Sequence, residues 1–496
     1  MNFLFSNNDC LAVLPEIFLV ISINLLLIYG VIYSTSPLFN FPILVNNVSW
    51  LSILTLIICF FLNVSNSYLN TVIFNGFLIL DFFGNFIKSF ILFSTVCVLL
   101  ISLGYNRLEK INSFELPILI LISILGTLFL ISSYDLMSMY LAIELQSFCF
   151  YILSSFKRNS EFSAESGLKY FILGAFSSGF LLFGCSLIYG FTGTTNYELI
   201  SLLLVNLNFN SLCNNGIFVG LLFVFVSFLF KISAAPFHLW SPDVYEGSPT
   251  NITAFFAITP KLGILAFFLR LFFDCFYVFL TSLQSFLILS SISSMIVGCF
   301  GAIWQIKIKR LLAFSAITHV GYMLIGLSCT SVESINSVIF YCFIYVFMSI
   351  LSFSLLLTIR KASDLKRFKY IEDLTTISKV NPFVGVSIAI VFFSIAGIPP
   401  FAGFFAKMFI LFSAISQSLF FVTLIAILTS VFSCFYYLRV IQITFFEQTK
   451  FWITLDTFNK ETSLLISCVL LFLSIFFVHP SLLVISIHNS VIDLFI

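Results

Sequence analysis

Charge is what this sequence has least of. Of 496 residues only 9% are Asp, Glu, Lys or Arg, against about a quarter in an ordinary soluble domain, while 60% are hydrophobic. A water-soluble globular fold is excluded. No polar stretch approaches the roughly 50 residues that a small aqueous domain needs, so any chemistry lies within a membrane. The 22 basic and 21 acidic residues nearly cancel, and no basic run is long enough to track nucleic acid, which removes DNA and RNA as partners. The twelve cysteines, from Cys10 to Cys468, stand singly with no C-x-x-C pair, arguing against zinc, iron–sulfur and disulfide frameworks. Four histidines, His238, His319, His479 and His488, are too few and too dispersed for paired haem ligands. Neither G-x-G-x-x-G nor G-x-x-x-x-G-K occurs, so no nucleotide site is visible. The first residues, MNFLFSNNDC, lack a basic n-region and an Arg-rich amphipathic pattern, so no cleaved targeting segment is expected, and SNNDC has no assignable role.

What is present is apolar sequence in lengths suited to a bilayer. A spanning helix takes about 20 apolar residues. Such runs recur near residues 12–33, 48–68, 77–104, 114–132, 134–156, 167–190, 214–238, 249–273, 281–304, 309–329, 334–360, 382–417, 420–446 and 462–478. The pattern predicts an all-α polytopic membrane protein of about fourteen transmembrane helices. The twelfth run is too long for one straight helix and contains Gly397, Pro399, Pro400 and Gly403, so it breaks in the middle. The seventh is interrupted by Pro236, whose missing amide leaves the Ile232 carbonyl without a helical partner beside Lys231. Two broken helices, one in each half, are the pattern of transporters with internal repeats, although residue identity shows no repeat.

Connections after odd-numbered spans, with the span ends that border them, hold sixteen of the 22 basic residues: Arg107, Lys110, Lys157, Arg158, Lys307, Lys309, Arg310, Arg360, Lys361, Lys366, Arg367, Lys369, Lys379, Arg439, Lys450 and Lys460. Connections after even-numbered spans hold only Arg270. Basic loops mark the cytoplasm-equivalent face, which places both termini opposite it. Trp50, Trp240, Trp304 and Trp452 fall near the basic face, as an interfacial belt does. The 68 phenylalanines, with abundant Ile and Asn, suggest AT-rich codons and hence an organellar genome.

Five basic residues remain within spans: Lys88, Lys169, Lys231, Lys261 and Lys407; among acids, Glu144 stands deep in LMSMYLAIELQSFCFYIL. Each central charge costs about 2.5–3.5 kcal/mol on the insertion scale, so Glu144, Lys231, Lys261 and Lys407 together cost on the order of 10 kcal/mol. Pairing or hydration must offset that. The functional reading is a proton relay, because an ammonium taken out of water can give up and regain its proton near neutral pH. A change in the distance from Glu144 to Lys231 alters how tightly that lysine holds its proton. The structural alternative is a static ion pair or a snorkelling side chain, which three central lysines on three helices make less economical. His319, in LLAFSAITHVGYMLIGL, can shuttle protons with Ser315 and Thr318 holding water beside it, or sit as a satisfied core histidine. Lys169 follows Glu165 by four residues and reads equally as an ordinary helical pair. Lys88 lies two turns from Asp81 on one face and reads as structural. His238, near Asp243 and Glu246, guards a proton entrance or caps a loop; His479 and His488 read as interfacial.

The segments LAIELQSFCFYILSS, GLKYFILGAFSSGFLLFG, FLFKISAAPFHLWSPDVYEGSPT, IKIKRLLAFSAITHVGYMLIG and SIAGIPPFAGFFAKMFILFSA resemble one family, the antiporter-like subunit 2 of proton-pumping respiratory NADH:ubiquinone oxidoreductase (complex I) in its long organellar form. The resemblance is weakest at residues 34–75 and 192–214. It implies two inverted five-helix repeats with broken seventh and twelfth helices, and domains at 1–110 (three helices), 111–275 (first half), 276–447 (second half) and 448–496 (last helix and tail). It further implies that Glu144 is the fifth-helix glutamate, Lys231 the lysine of the broken seventh helix, Lys261 the central eighth-helix lysine, His319 the tenth-helix histidine and Lys407 the terminal lysine of the twelfth. Lysine rather than glutamate at 407 fits subunit 2 and argues against subunit 4, and the chain lacks the lateral helix of subunit 5. No cofactor is expected in this chain: flavin, iron–sulfur clusters and ubiquinone belong on other subunits. The partners implied are other membrane-arm subunits, especially subunits 4 and 4L, with membrane lipid, in the mitochondrial inner membrane. An antiporter subunit or a plastid relative of complex I shares the same ionisable axis; a non-pumping scaffold has no reason to carry four central charges.

Overall fold

The computed structural model describes residues 7–34, 41–68, 70–206, 212–361, 367–447 and 454–493. Lys366, Lys450 and Trp452 lie outside them. The helices are α1 (Asn7–Ala12), α2 (Leu14–Ser34), α3 (Phe41–Val64), α4 (Phe82–Leu108), α5 (Glu115–Ser132), α6 (Leu136–Ser154), α7 (Glu161–Thr192), α8 (Tyr197–Asn206), α9 (Leu212–Lys231) and α10 (Trp240–Gly247). The second half continues with α11 (Thr250–Arg270), α12 (Leu280–Ile303), α13 (Ile308–Ser328), α14 (Val332–Thr358), α15 (Ile377–Val380), α16 (Pro382–Ala396), α17 (Ala402–Ser416), α18 (Phe420–Phe445), α19 (Lys460–Ile475) and α20 (Ser481–Ile492). Twelve of these are long and apolar enough to cross a membrane. The halves α16 and α17 make a thirteenth crossing. Helix α19, about 24 Å long at 1.5 Å per residue, makes the fourteenth.

Local chemistry sets the ends. The third span begins at Phe82 rather than 77 because the Asp81 carboxylate accepts the Gly84 amide at 3.2 Å, an N-cap. Asp135 likewise accepts the Met137 amide at 2.7 Å and starts α6. Among the described residues the one β-sheet lies just before Phe82, a hairpin pairing β1 (Thr71–Ile73) with β2 (Leu78–Leu80). Its turn uses positive φ at Phe74, Asn75 and Gly76, and Asn196 donates its side-chain amide to the Gly76 carbonyl at 3.0 Å.

The core centres on α11, whose 21 residues are all buried among α4, α5, α9 and α14. Loops after even-numbered spans gather at one end, where the bridges Leu78 to Ser133 and Asp135 to Asn196 join them. Arg270, expected in a loop there, is instead 1% exposed: it pairs with Asp81 and donates to the Ile131 carbonyl. That neutralisation explains how the end lacking other basic residues tolerates it. Asp81 is thereby taken, and Lys88 does not use it. Lys88 meets Glu16 of α2 at 2.6 Å, both side chains 2% exposed, a buried tie between the first and third spans.

At the other end the basic loops converge on Glu109. Its carboxylate receives Lys157 at 3.0 Å, Arg367 at 2.7 Å and Arg360 at 3.4 Å, joining the connections after α4, α6 and α14. Burial pushes the Glu109 carboxyl upward, but Arg367 and Lys157 outweigh it and hold the group below its ordinary value. Glu109→Gln removes the one carboxylate that Lys157, Arg360 and Arg367 share, so we expect the assembled protein to lose about 3 kcal/mol of stability at neutral pH, measurable by thermal inactivation. Because the folded group is depressed, this contribution is complete above the usual carboxylate range and disappears on acidification through it. Variant and parent should therefore converge only at acid pH.

Candidate functional site

Both predicted breaks are present, and each sets a lysine. Helix α9 stops at Lys231, five residues before Pro236, and the chain turns through Ser233 at φ 61° before α10 restarts it. The break was expected to expose the Ile232 carbonyl; the carbonyl visibly recruited is that of Phe230, which accepts the Trp240 indole N–H at 2.9 Å. Trp240 stacks on Tyr170 with centroids 4.6 Å apart and is 4% exposed. It is thus not part of an interfacial belt. Trp304 remains exposed at the end of its span, and Trp50 is exposed in the third turn of α3. In the twelfth span Gly397 takes φ 84°, the left-handed conformation that ends α16. Lys407, on the second turn of α17, donates to the Ala396 carbonyl at 2.7 Å, a cation placed at a helix C-terminus. Its ammonium also lies 5.5 Å from the Tyr322 ring. Lys407 is therefore held by protein groups, so pairing rather than hydration offsets its burial.

Lys261 occupies the middle of α11, immediately after Pro260. That proline deprives the Phe256 carbonyl of its helical donor. Phe256, Pro260, Lys261 and Lys231 line one internal cavity of about 20 Å³ together with Gln146 and Ser147. This is room for one water. Lys261 is 3% exposed, and among the described residues its ammonium finds no hydrogen-bond partner, nor does Gln146 Nε2. The rings of Tyr345 and Tyr245 stand 5.8 and 5.9 Å from the Lys261 ammonium.

Glu144 and Lys231 are not in contact: no ion pair joins them, and Lys231 lies 6.0 Å from the Tyr151 ring. Glu144 Oε1 has no partner, while Oε2 receives a long bond of 3.4 Å from Ser147, which itself borders the cavity. Glu144 sits between Leu141 and Phe148 on the stripe of α6 that also exposes Met137 and Ile152, so it lies at the outer edge of the bundle. On the far side of Lys261, His319 Nδ1 bonds the Tyr341 hydroxyl at 2.6 Å and Nε2 is unpartnered. A second cavity of about 20 Å³ is lined by His319, Ser315, Tyr345, Ser349 and Ser352. Ser315 borders it as expected; Thr318 does not, being turned back onto the Ser315 carbonyl at 2.6 Å.

The sequence reading missed the tyrosines that close the gaps. Tyr345 neighbours both Lys261 and His319, Tyr341 holds His319, and Tyr322 stacks on Tyr341 while facing Lys407. The spacing of Tyr341 and Tyr345, four apart on one face of α14 within the apolar stretch 338–348, is the signal that marks them. Of the other candidates, Lys169 pairs with Glu165 at 2.8 Å and with Asp243 at 2.9 Å and is 44% exposed, a surface clamp on α10. His488 bonds Asn336 and His479 bonds Ser481.

Residues 133–433 match the family described as NADH:quinone oxidoreductase/Mrp antiporter, transmembrane. NADH-ubiquinone oxidoreductase chain 2 of Marchantia polymorpha is 47% identical over 98% of this chain and 99% of its own length. The chain belongs to the chain 2 family of complex I. NADH-quinone oxidoreductase subunit N of Pelagibacter ubique, 43% identical over 88% of this chain and 90% of its own, extends that family to bacteria. A chain of respiratory complex I from Thermus thermophilus with bound aureothin has the same fold, with a TM-score of 0.76 at 24% identity over 95% of this chain and 98% of that one. Membership makes this a proton-translocating membrane-arm subunit of the NADH:ubiquinone oxidoreductase.

Proposed function

We propose that Glu144, Lys231, Lys261, His319 and Lys407 carry the translocated protons along one axis through the bundle. The observation that carries this reading is the cavity shared by Lys231 and Lys261, into which an unpartnered buried ammonium and an unpartnered amide project. One water there accepts from both donors and, by donating to Lys231 in its neutral form on the same cavity wall, links the two lysines. Tyr345 and the second cavity continue the axis to His319, and Tyr341 and Tyr322 continue it to Lys407. Glu144, at the outer edge and one serine from the first cavity, is the end that a neighbouring subunit can address. Redox chemistry supplies the drive from elsewhere: flavin, iron–sulfur clusters and ubiquinone lie on other subunits, and the adjoining membrane subunits are 4 and 4L. The complex lies in the mitochondrial inner membrane and this chain is encoded in the organelle, a reading supported by the composition and by the Marchantia likeness. An antiporter subunit is disfavoured by the full-length match to chain 2.

Glu144→Gln tests the axis. With no contact pair to break, the assembled complex should form at its normal level, while NADH-driven proton uptake falls by about 10²-fold, the lower bound for a lost proton-transfer group. Normal uptake removes Glu144 from the axis. Topology is checked separately with exposed positions at opposite ends: Trp304→Cys should label from the matrix side of inner-membrane vesicles, and Tyr277→Cys from the other.

A further inference from the structure

Well away from the proton axis, α14, α17 and α20 enclose a cavity of about 400 Å³ at the end of the bundle opposite the basic loops. That volume lies in the range of ligand pockets, about 300–1,000 Å³. Its composition is graded along the membrane normal. Glu333, in the first turn of α14, and Ser416, the last residue of α17, stand at the mouth; Phe340 and Phe409, seven residues further along the same helices, stand about 10 Å deeper. Phe412 and Ile487 complete the apolar wall. The serines Ser337 and Ser413, hydroxyls 3.3 Å apart, tie α14 to α17 between the two zones.

The polar end selects a sign and a donor. Glu333 is exposed and forms no ion pair among the described residues, and no Lys or Arg lines the cavity. Asn336 Nδ2 meets His488 Nδ1 at 3.0 Å, which leaves Asn336 Oδ1 buried without a partner. The site therefore offers a carboxylate and an orphaned carbonyl, both acceptors, above an aromatic and aliphatic slot. We infer that the cavity binds a phospholipid with a primary ammonium headgroup, of the ethanolamine class. Its N–H groups reach Glu333 and Asn336, and its acyl chain lies against Phe340, Phe409 and Phe412. A choline headgroup has no N–H to give Asn336, and an anionic headgroup meets Glu333 with like charge.

The test uses the whole complex in mild detergent with a phosphatidylethanolamine carrying a diazirine on its acyl chain. Illumination should label peptides spanning residues 404–416 and 481–492. Unlabelled dioleoylphosphatidylethanolamine should compete at least tenfold better than the phosphatidylcholine or phosphatidylglycerol of the same chains. In Glu333→Gln that preference over phosphatidylcholine should fall about tenfold, with proton uptake unchanged. Equal competition by all three lipids, absence of label on these peptides, or crosslinking of a photoreactive residue at position 412 to a neighbouring subunit overturns the assignment. The headgroup comparison is made on the unaltered complex, so it decides the matter even if the variant does not assemble.

Discussion

Lys261→Met should yield a complex that assembles as well as or better than the parent and does not pump. The ammonium is buried at the centre of α11 with no hydrogen-bond partner among the described residues, facing two tyrosine rings and a cavity for one water. Insertion of such a charge costs about 2.5–3.5 kcal/mol, and methionine keeps the length of the side chain while removing that cost. A lysine kept for stability behaves in the opposite way, because its removal leaves a partner stranded. Among the described residues there is no partner to strand. Proton uptake should fall by at least about 10²-fold because both links from Lys261, through the shared water to Lys231 and past Tyr345 to His319, are cut together. The measurements are the amount of assembled complex, NADH oxidation and proton uptake. Full uptake with the complex intact would exclude Lys261 as a carrier, and poor assembly would assign it a structural role.

Gly403→Ala should have the largest effect on folding of any single added methyl considered for the broken twelfth span. A Cβ at this position overlaps the Ser394 carbonyl oxygen and falls 2.7 Å from its carbon. Both obstacles are backbone, so no rotamer change relieves the overlap, and α16 and α17 must move apart. The expected loss is about 3 kcal/mol or more, at the upper end of overpacking costs. The displacement acts on the site as well, since Lys407 on α17 donates to Ala396 on α16 across this junction. Assembled complex should therefore drop, and what assembles should pump poorly. A variant assembled and pumping at parental levels refutes the view that the close approach of the two half-helices positions Lys407.

The two outcomes draw on different parts of what the sequence contains. Length, hydropathy and the scarcity of charge specified the membrane class and the fourteen crossings, because in a bilayer every backbone polar group must be satisfied within its own segment, and that requirement is written locally. The breaks were legible for the same reason: Pro236, Pro399 and Pro400 forbid a continuous ladder wherever they stand. Ionisable residues in apolar runs could be selected by cost alone, and Glu144, Lys231, Lys261 and Lys407 were; His319 was marked by its polar neighbours and by the resemblance. The distances between them were not legible, because each depends on which helix faces which. Helical periodicity cannot report that in chains apolar all round. Only the packing of α6, α9 and α11 shows that Glu144 and Lys231 stand apart and that Lys231 and Lys261 share a cavity. Only the packing of α11, α13, α14 and α17 shows that tyrosines span the remaining intervals. Trp240, Lys88 and Arg270 carry the same lesson. A tryptophan near a span end reads as interfacial and a lysine two turns from an aspartate reads as its neighbour, until the tertiary fold offers each a buried partner from another helix: a freed carbonyl for Trp240, Glu16 for Lys88, Asp81 for Arg270. A buried polar group takes the partner that desolvation makes available, and which partner is available is decided in three dimensions.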